Sequence, residues 1–396
     1  MKLVIAGKNS IAVDVLKHAI DHLDIQIFVV LNQTEVFKNN FQKSLGFYAN
    51  LWGIPILKLD EVYKHEDAIF LSLEFDKIVK PNLFRTKSLF NIHFSLLPAY
   101  KGMYTSALPI LHNKYKTGVT LHEIDAGIDT GNIIDQKEII IENSDTARNL
   151  YTKYIKIGTE LVIKNITSLV ENNYSSHKQS YKQSTYYGKK SIDYSNLKIN
   201  YRQTAEQVLR ELRAFSFREY QLPKFQNKPI VTWKITDEKS ILKPGLIVKE
   251  GDYNIRLATI DYDIVLRKDS HENLWSYCKE NNYLSLEDLL STQKIDLEIK
   301  TEEGWTALII AAYNGAYECL DILINYGANV SASNYNFTTV LMYAKTNYLI
   351  TNNKKILKKL IDSGADMKAE DVFGKTLLDW VEEEDKLLCN YLKSKI

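Results

Sequence analysis

Three polar side chains between residues 88 and 131 have the types and spacing to move a proton. Residues 89–94 are apolar enough for a strand and carry Asn91 and His93 two positions apart. Side chains at i and i+2 of a strand share a face, so an amide and an imidazole project together. Residues 119–124 alternate as a second strand and run into DAGIDTG at 125–131, where Asp129 lies between Gly127 and Gly131. Glycines so placed let the backbone turn tightly around one carboxylate. A hydrogen-bond donor, a ring that changes charge near neutral pH and a carboxylate then meet at one edge of a sheet. Taken alone, the same residues also describe a capped strand end with Asx turns and a satisfied core histidine.

The elements that would position them begin at the N-terminus. Residues 2–6 form a buried-type strand, GKNS follows at 7–10, a helix runs over about 11–22, and residues 25–31 form the next strand. Strand, turn, helix, strand opens a doubly wound α/β domain. Gly7 stands alone, so the glycine-rich dinucleotide fingerprint is missing and neither NAD nor FAD is indicated. Asn9 and Ser10 either cap the helix or hold a phosphate or hydroxyl of a substrate. Residues 68–73 and 133–140 add strands, and a helix starting at 144–146 continues to about residue 170 with apolar residues at helical spacing. Residues 171–190 are polar, rich in tyrosine and without period, and read as a loop crossing to the next domain.

A second unit follows, with a helix over 200–215 and strands over 229–235, 246–248, 254–259 and 264–267. The last third repeats. GWTAL at 304–308 recurs as NFTTV at 336–340 and GKTLL at 374–378, and LINYGAN at 323–329 recurs as LIDSGAD at 360–366. This is an ankyrin-like period, with an insertion near 347–353 and a degenerate first repeat over 274–290. The expected organisation is an α/β, Rossmann-like domain over 1–190, a small β-rich domain over 191–268 and an α-helical ankyrin domain over 269–396.

The totals exclude several classes. With 396 residues the chain is too long for one ordinary core. A formal net charge of +1 argues against affinity built on phosphate neutralisation, so no nucleic acid is expected as a partner. Cys278, Cys319 and Cys389 are widely spaced, with no metal-ligand pattern, and read as reduced thiols of a cytoplasmic protein. No apolar run suits a signal peptide or a membrane span. The 25 tyrosines are many, and composition does not explain them.

FNIHFSLLPAYKG at 90–102 and GVTLHEIDAGIDTG at 118–131 resemble the folate-dependent formyltransferases. The resemblance covers about residues 1–190 and implies the family's small C-terminal domain through about residue 268. It implies an N10-formyltetrahydrofolate co-substrate, an amine acceptor, no metal, and a catalytic asparagine, histidine and aspartate at Asn91, His93 and Asp129. Attack of an amine on a formyl carbon builds an oxyanion, to which Asn91 can donate. His93 can carry the amine proton and Asp129 can orient it, with the first proton acceptor left open between them. The resemblance places the pterin near Leu73, Glu74, Phe75, Asp76, Ile124 and Asp125. Lys101, before Gly102, stands where relatives often have an arginine and so lacks its fixed fork of donors.

The phrase LHEIDAGIDTGNII, with YYG at 186–188 and RAFSFREY at 213–220, is similar to the sugar-nucleotide N-formyltransferase branch. That branch implies a dTDP-amino-dideoxy sugar acceptor, most closely dTDP-3-amino-3,6-dideoxyglucose for bacterial O-antigen lipopolysaccharide, and a homodimer. Acceptor contacts are then expected at Asn9, Ser10, Lys101, Gly102, Arg218 and Tyr220. A 4-amino sugar nucleotide, and an ankyrin adaptor with a vestigial enzyme core, stand as alternatives. Trp305 fills a variable repeat position and could form an aromatic platform with Tyr313 and Tyr335. Repeat-to-repeat packing or a dimer contact is the leading reading there, with a second, regulatory nucleotide-sugar site or a protein partner as the alternatives.

Overall fold

The computed structural model describes residues 1–382 and 384–395. The chain divides into two compact units, one of Met1–Lys38 with Gln42–Lys268 and one of Asn39–Phe41 with Asp269–Ile396.

The first unit begins with strands β1 (Lys2–Gly7), β2 (Gln26–Leu31), β3 (Ala68–Leu73), β4 (Leu89–His93), the short β5 (Lys101–Gly102), β6 (Lys116–Glu123) and β7 (Ile133–Ile140). A six-stranded sheet has the order β2-β1-β3-β4-β6-β7. β1, β2, β3 and β4 pair in parallel, and β6 returns antiparallel between β4 and β7. β1 and β3 are buried almost throughout, as central strands covered on both faces must be. In open α/β sheets ligands sit beyond the carboxyl ends of the parallel strands, and here β3 and β4 end at Leu73 and His93.

The helix Asn9–His22 turns Ile11, Val15, Leu16 and Ala19 inward. The helix Ala147–Val170 starts at Thr146, which exchanges hydrogen bonds with Asn149 in a capping box. The two helices pack together beside Gly158, where an added Cβ would lie 3.1 Å from Ile11 and 3.3 Å from Phe94. The longer helix therefore presses on the residue next to His93.

Residues 171–190 do more than cross between elements. Tyr186–Tyr187 form β8, which pairs in parallel with β5. Tyr100, Leu108, Ile192 and Phe215 form a cluster against which Tyr104, Tyr187 and Tyr194 pack, so several of the tyrosines that composition left unexplained are the cement of this region.

Strands β9 (Lys224–Phe225), β10 (Lys228–Ile235), β11 (Ile247–Glu250), β12 (Asn254–Leu257) and β13 (Ile264–Lys268) form an antiparallel sheet in the order β11-β12-β13-β10-β9. Gln226 and Asn227, both at positive φ, make the tight β9–β10 turn. The helix Ala205–Ala214 buries Val208 and Leu212 against Ile230, Ile255 and Leu266.

The second unit is helical. The pairs His271–Glu280 with Tyr283–Thr292, Ala307–Asn314 with Tyr317–Asn325, Val340–Thr351 with Lys355–Asp362, and Leu377–Glu382 with Lys386–Lys393 follow one another. The recurring threonine starts a helix, since Thr306 and Thr339 accept from the Ile309 and Met342 N–H groups as N-caps. The insertion read near residue 350 is an added helical turn, since Val340–Thr351 has 12 residues against 8 in Ala307–Asn314. Among the described residues no helix is long and apolar enough to cross a membrane.

Candidate active site

β4 and β6 bring the polar groups together by register. Asn91 pairs with His122 and His93 with Thr120 across the antiparallel ladder, so Asn91, His93, Thr120 and His122 share a face. His122 Nδ1 lies 2.6 Å from the Glu123 carbonyl. A carbonyl only accepts, so Nδ1 carries the proton and Nε2 receives the Asn91 amide N–H at 3.0 Å. His122 thereby fixes which way the Asn91 amide faces and leaves its second N–H as a donor.

The same logic sets His93. Its Nε2 donates to the Tyr100 carbonyl at 2.8 Å, so the neutral ring keeps its lone pair on Nδ1, 3.5 Å from Asp129 Oδ2. Burial lowers the His93 pKa, against the pull of Asp129 and the Tyr100 carbonyl, with His122 and Lys101 adding to the lowering. Burial opposes ionisation of Asp129 as well, yet His93, His122 and the Gly102 N–H together bring its carboxyl down to about 2. The Gly102 N–H donates to Oδ2 at 2.8 Å, and His122 Nε2 stands 3.6 Å from Oδ1. The Gly102 N–H is the one of these groups whose hold on Asp129 does not depend on the charge of an imidazole.

Asp129 is itself the left-handed residue of its loop, at φ 54°. Gly131 is needed for closeness instead, since a Cβ there would lie 1.9 Å from the Glu123 carbonyl oxygen. Asn9, Glu74 and Tyr100, on the segments after β1, β3 and β4, are also left-handed, at φ 65°, 58° and 57°. Such strain gathers where a fold holds groups for function.

A second polar cluster lies at the same sheet edge. Asn9 Nδ2 donates to Glu74 Oε2 at 2.9 Å and to the Tyr151 hydroxyl at 2.7 Å, and Tyr151 donates to Glu74 at 2.9 Å. Burial pushes the Glu74 carboxyl up, against these donors. Tyr151 packs on Phe217, which packs on the exposed Tyr220. Arg218 sits on that same turn, where the neighbouring Glu219 receives a forked ion pair from Arg148. Asn9 is thus part of this cluster rather than a helix cap, while Ser10 faces residues 42 and 43 through Gln42 Oε1 and the Lys43 N–H.

The other singled-out residues are placed as follows. Leu73 is fully buried, and Phe75 and Ile124 pack on the Phe70–Leu89 core. Asp76 accepts from the Gln33 N–H, and Asp125 closes an Asx turn on Gly127 and Thr130. Lys101 and Gly102 form β5, held by β8. In the second unit Trp305 meets Tyr313 at 5.0 Å and Tyr343 at 4.9 Å between ring centroids, while Lys300 lies over the Tyr335 ring. Sequence reasoning passed over His122 and Tyr151. The signal for His122 lay in the cross-strand register, which places it opposite Asn91; nothing in the sequence alone couples Tyr151 to Glu74. Among the described residues no group of three or more His, Cys, Asp or Glu could hold a metal ion.

Residues 59–166 match the Formyl transferase family, and residues 274–371 match Ankyrin repeats (3 copies). WlaRD, described as a sugar 3N-formyl transferase and solved in the presence of dTDP and 5-N-formyl-THF, is 42% identical. The match covers 68% of this chain and 97% of WlaRD, with a TM-score of 0.63. The N-formyltransferase from Helicobacter canadensis, solved with folinic acid and dTDP-3-aminofucose, is 41% identical over 68% of this chain and all of that one (100%), also at 0.63. Methionyl-tRNA formyltransferase from Coxiella burnetii is 26% identical over 65% of this chain and 87% of its own length.

Proposed function

The chain belongs to the sugar N-formyltransferases, and on that premise we propose that it moves a formyl group from N10-formyltetrahydrofolate to the amine of dTDP-3-amino-3,6-dideoxyglucose. The observation that carries the reaction is the Asn91 donor, fixed by His122, beside an ionised Asp129 and a neutral His93. Two relatives support the acceptor class, one described as a 3N-formyl transferase and one solved with dTDP-3-aminofucose.

Attack of the neutral amine on the formyl carbon puts negative charge on the formyl oxygen and positive charge on the amine nitrogen. The second N–H of Asn91 donates to that oxygen. Asp129, with its carboxyl at about 2, is a weak base, so His93 takes the amine proton on Nδ1. Asp129 stabilises the imidazolium that results. As the bond from the formyl carbon to N10 breaks, His93 returns the proton to N10. The donor lies against loops 73–76 and 124–125, where Phe75 and Ile124 offer apolar surface. Asn9, Ser10, Lys101, Gly102, Arg218 and Tyr220 line the acceptor side.

In the second unit a further nucleotide-sugar site is proposed at Trp305, Tyr313 and Tyr335, with Tyr343 packed beside Trp305. One experiment addresses both readings: formylation assays with dTDP-3-amino and dTDP-4-amino sugars and methionyl-tRNA, paired with equilibrium binding of the same nucleotide sugars. The 3-amino sugar should turn over with the highest kcat/KM and bind at two molecules per chain. Failure to formylate any nucleotide sugar sinks the reaction proposed, and a stoichiometry of one sinks the second site.

A further inference from the structure

The tyrosine-rich stretch after the helix Ala147–Val170 has no periodic pattern, yet its polar groups land on the two catalytic loops. Gln179 Nε2 donates to the carbonyls of Asp129 and Gly131, each at 2.8 Å. Its Oε1 is shut away from solvent without a donor, so the carbonyl pair alone sets the side chain. Six residues on, the Thr185 hydroxyl accepts the Tyr100 N–H at 2.8 Å and the Thr185 carbonyl accepts the Lys101 N–H at 2.9 Å. The Met103 N–H reaches the Tyr187 carbonyl at 2.8 Å. The start of the stretch is anchored too: His177 and Ile133 exchange backbone hydrogen bonds at 2.8 and 2.9 Å, and Ser176 donates to Glu123 at 2.8 Å.

One continuous segment therefore fixes both ends of the proton-carrying pair. It holds Tyr100, whose carbonyl sets the His93 tautomer, and Asp129, whose left-handed backbone aims the carboxylate at His93. We propose that residues 177–187 are a strap that sets the His93–Asp129 separation, and that Gln179 is a positioning residue for formyl transfer, acting through Asp129. This rests on the formyl-transfer reading above. A left-handed aspartate has no intrinsic reason to stay so, and a side chain that grips the carbonyls of residues 129 and 131 at once supplies one.

Gln179→Met keeps the length of the side chain and removes both N–H donors. Steady-state kinetics of the full chain should show kcat lower by about 10- to 100-fold, the size of effect that about 1 Å of misplacement produces, with KM for donor and acceptor little changed. The titratable groups facing His93 are Asp129, His122 and Lys101. Of these Asp129 raises the His93 pKa, so loosening it moves the acid limb of the kcat/KM profile to lower pH. A role in folding alone would lower Tm and leave that limb in place. Gln179→Asn, which keeps the donors on a shorter arm, should fall between wild type and the Met variant, and takes its place should that variant fail to fold. Tyr181→Ser, at the exposed tip of the strap, should behave as wild type. NMR titration of the His93 ring, wild type against variant, reads the same coupling without turnover. Unchanged kcat and an unmoved His93 titration in the Gln179 variants would overturn the strap. A wild-type chain that formylates no amino sugar fails the parent reading instead, and the titration then judges the strap alone.

Discussion

Two carboxylates flank β4 at one edge of the same sheet, and they are pushed in opposite directions. Asp129 comes from the loop after β6, and Glu74 follows β3, one step beyond the Leu73–Ile92 pairing that leads to His93. Burial works against the charge of both. Asp129 faces two imidazoles and takes the Gly102 N–H, and its carboxyl is brought down to about 2. Among the described residues Glu74 has the Asn9 amide and the Tyr151 hydroxyl as close donors, with Lys8 as a weaker influence, and burial prevails. Depth alone therefore does not decide what a carboxyl does; the groups aimed at it do. In the mechanism proposed, Asp129 is a fixed negative charge for chemistry, and Glu74 is the hub of a hydrogen-bonded support.

The largest effect should come from removing the fixed charge. In Asp129→Asn the amide oxygen can still take the Gly102 N–H, but the N–H group then takes the place of Oδ1 and turns toward His122 Nε2, whose lone pair already holds Asn91. Formyl transfer should fall by about 10²- to 10⁴-fold in kcat, the range for a positioned acid–base group. The acid limb should also move down in pH, since Asp129 raises the His93 pKa. Stability gives a second reading. A carboxyl depressed on folding contributes stability above its ordinary pKa and loses it as pH falls toward about 2. Thermal melts of the Asn variant should therefore lose less on acidification than wild type. Near-normal turnover would remove Asp129 from the mechanism.

A smaller change tests how Asn91, the oxyanion donor of the proposed mechanism, is held. His122 is almost wholly buried and accepts from Asn91. His122→Phe keeps a ring in the core and deletes the acceptor, so the Asn91 amide is free to turn. The expected loss in kcat is roughly 2- to 10-fold, the equivalent of one net hydrogen bond, with no change in the acceptor KM. A shift in KM without a shift in kcat would make His122 a ligand contact and leave Asn91 to orient itself.

Which side of this comparison was legible in the sequence follows from what each depends on. Asn91, His93 and Asp129 announce themselves by type and local spacing, because a strand puts i and i+2 on one face. His122 lay in the same motif, yet its partner is chosen by the β4–β6 register, a long-range fact. The sequence points to Glu74 as a folate contact and to Asn9 as a cap or substrate contact, and carries no sign of their pairing, which spans 65 residues and runs through Tyr151 on a helix. The six-stranded sheet could be outlined from apolar runs, and the helical repeats from recurring GxT and GAN-type turns. The 171–190 stretch could not, since hydrogen bonds to loops leave no period in a sequence. For the same reason Tyr343 was missed beside Trp305 while Tyr335 was named.

The smallest expected effect is also the one most able to break the comparison. Glu74→Gln keeps an acceptor for Asn9 or Tyr151, and its new N–H can donate to the Tyr151 hydroxyl, so the cluster re-forms with one bond exchanged. Formyl transfer should stay within about 3-fold of wild type, a change below 1 kcal/mol. The sign of its pH dependence is the reverse of that at Asp129. A carboxyl raised on folding contributes stability that is complete below its ordinary pKa and is lost as pH rises through the raised value. Wild type should therefore give up part of its Tm through Glu74 as pH rises above the ordinary carboxylate range, and the Gln variant should keep it. Melting curves across that range, wild type against variant, read the difference directly. A collapse of kcat comparable to that of Asp129→Asn, with Tm unchanged, would make Glu74 a reacting group, and the division between a charge for chemistry and a hub for support would fall.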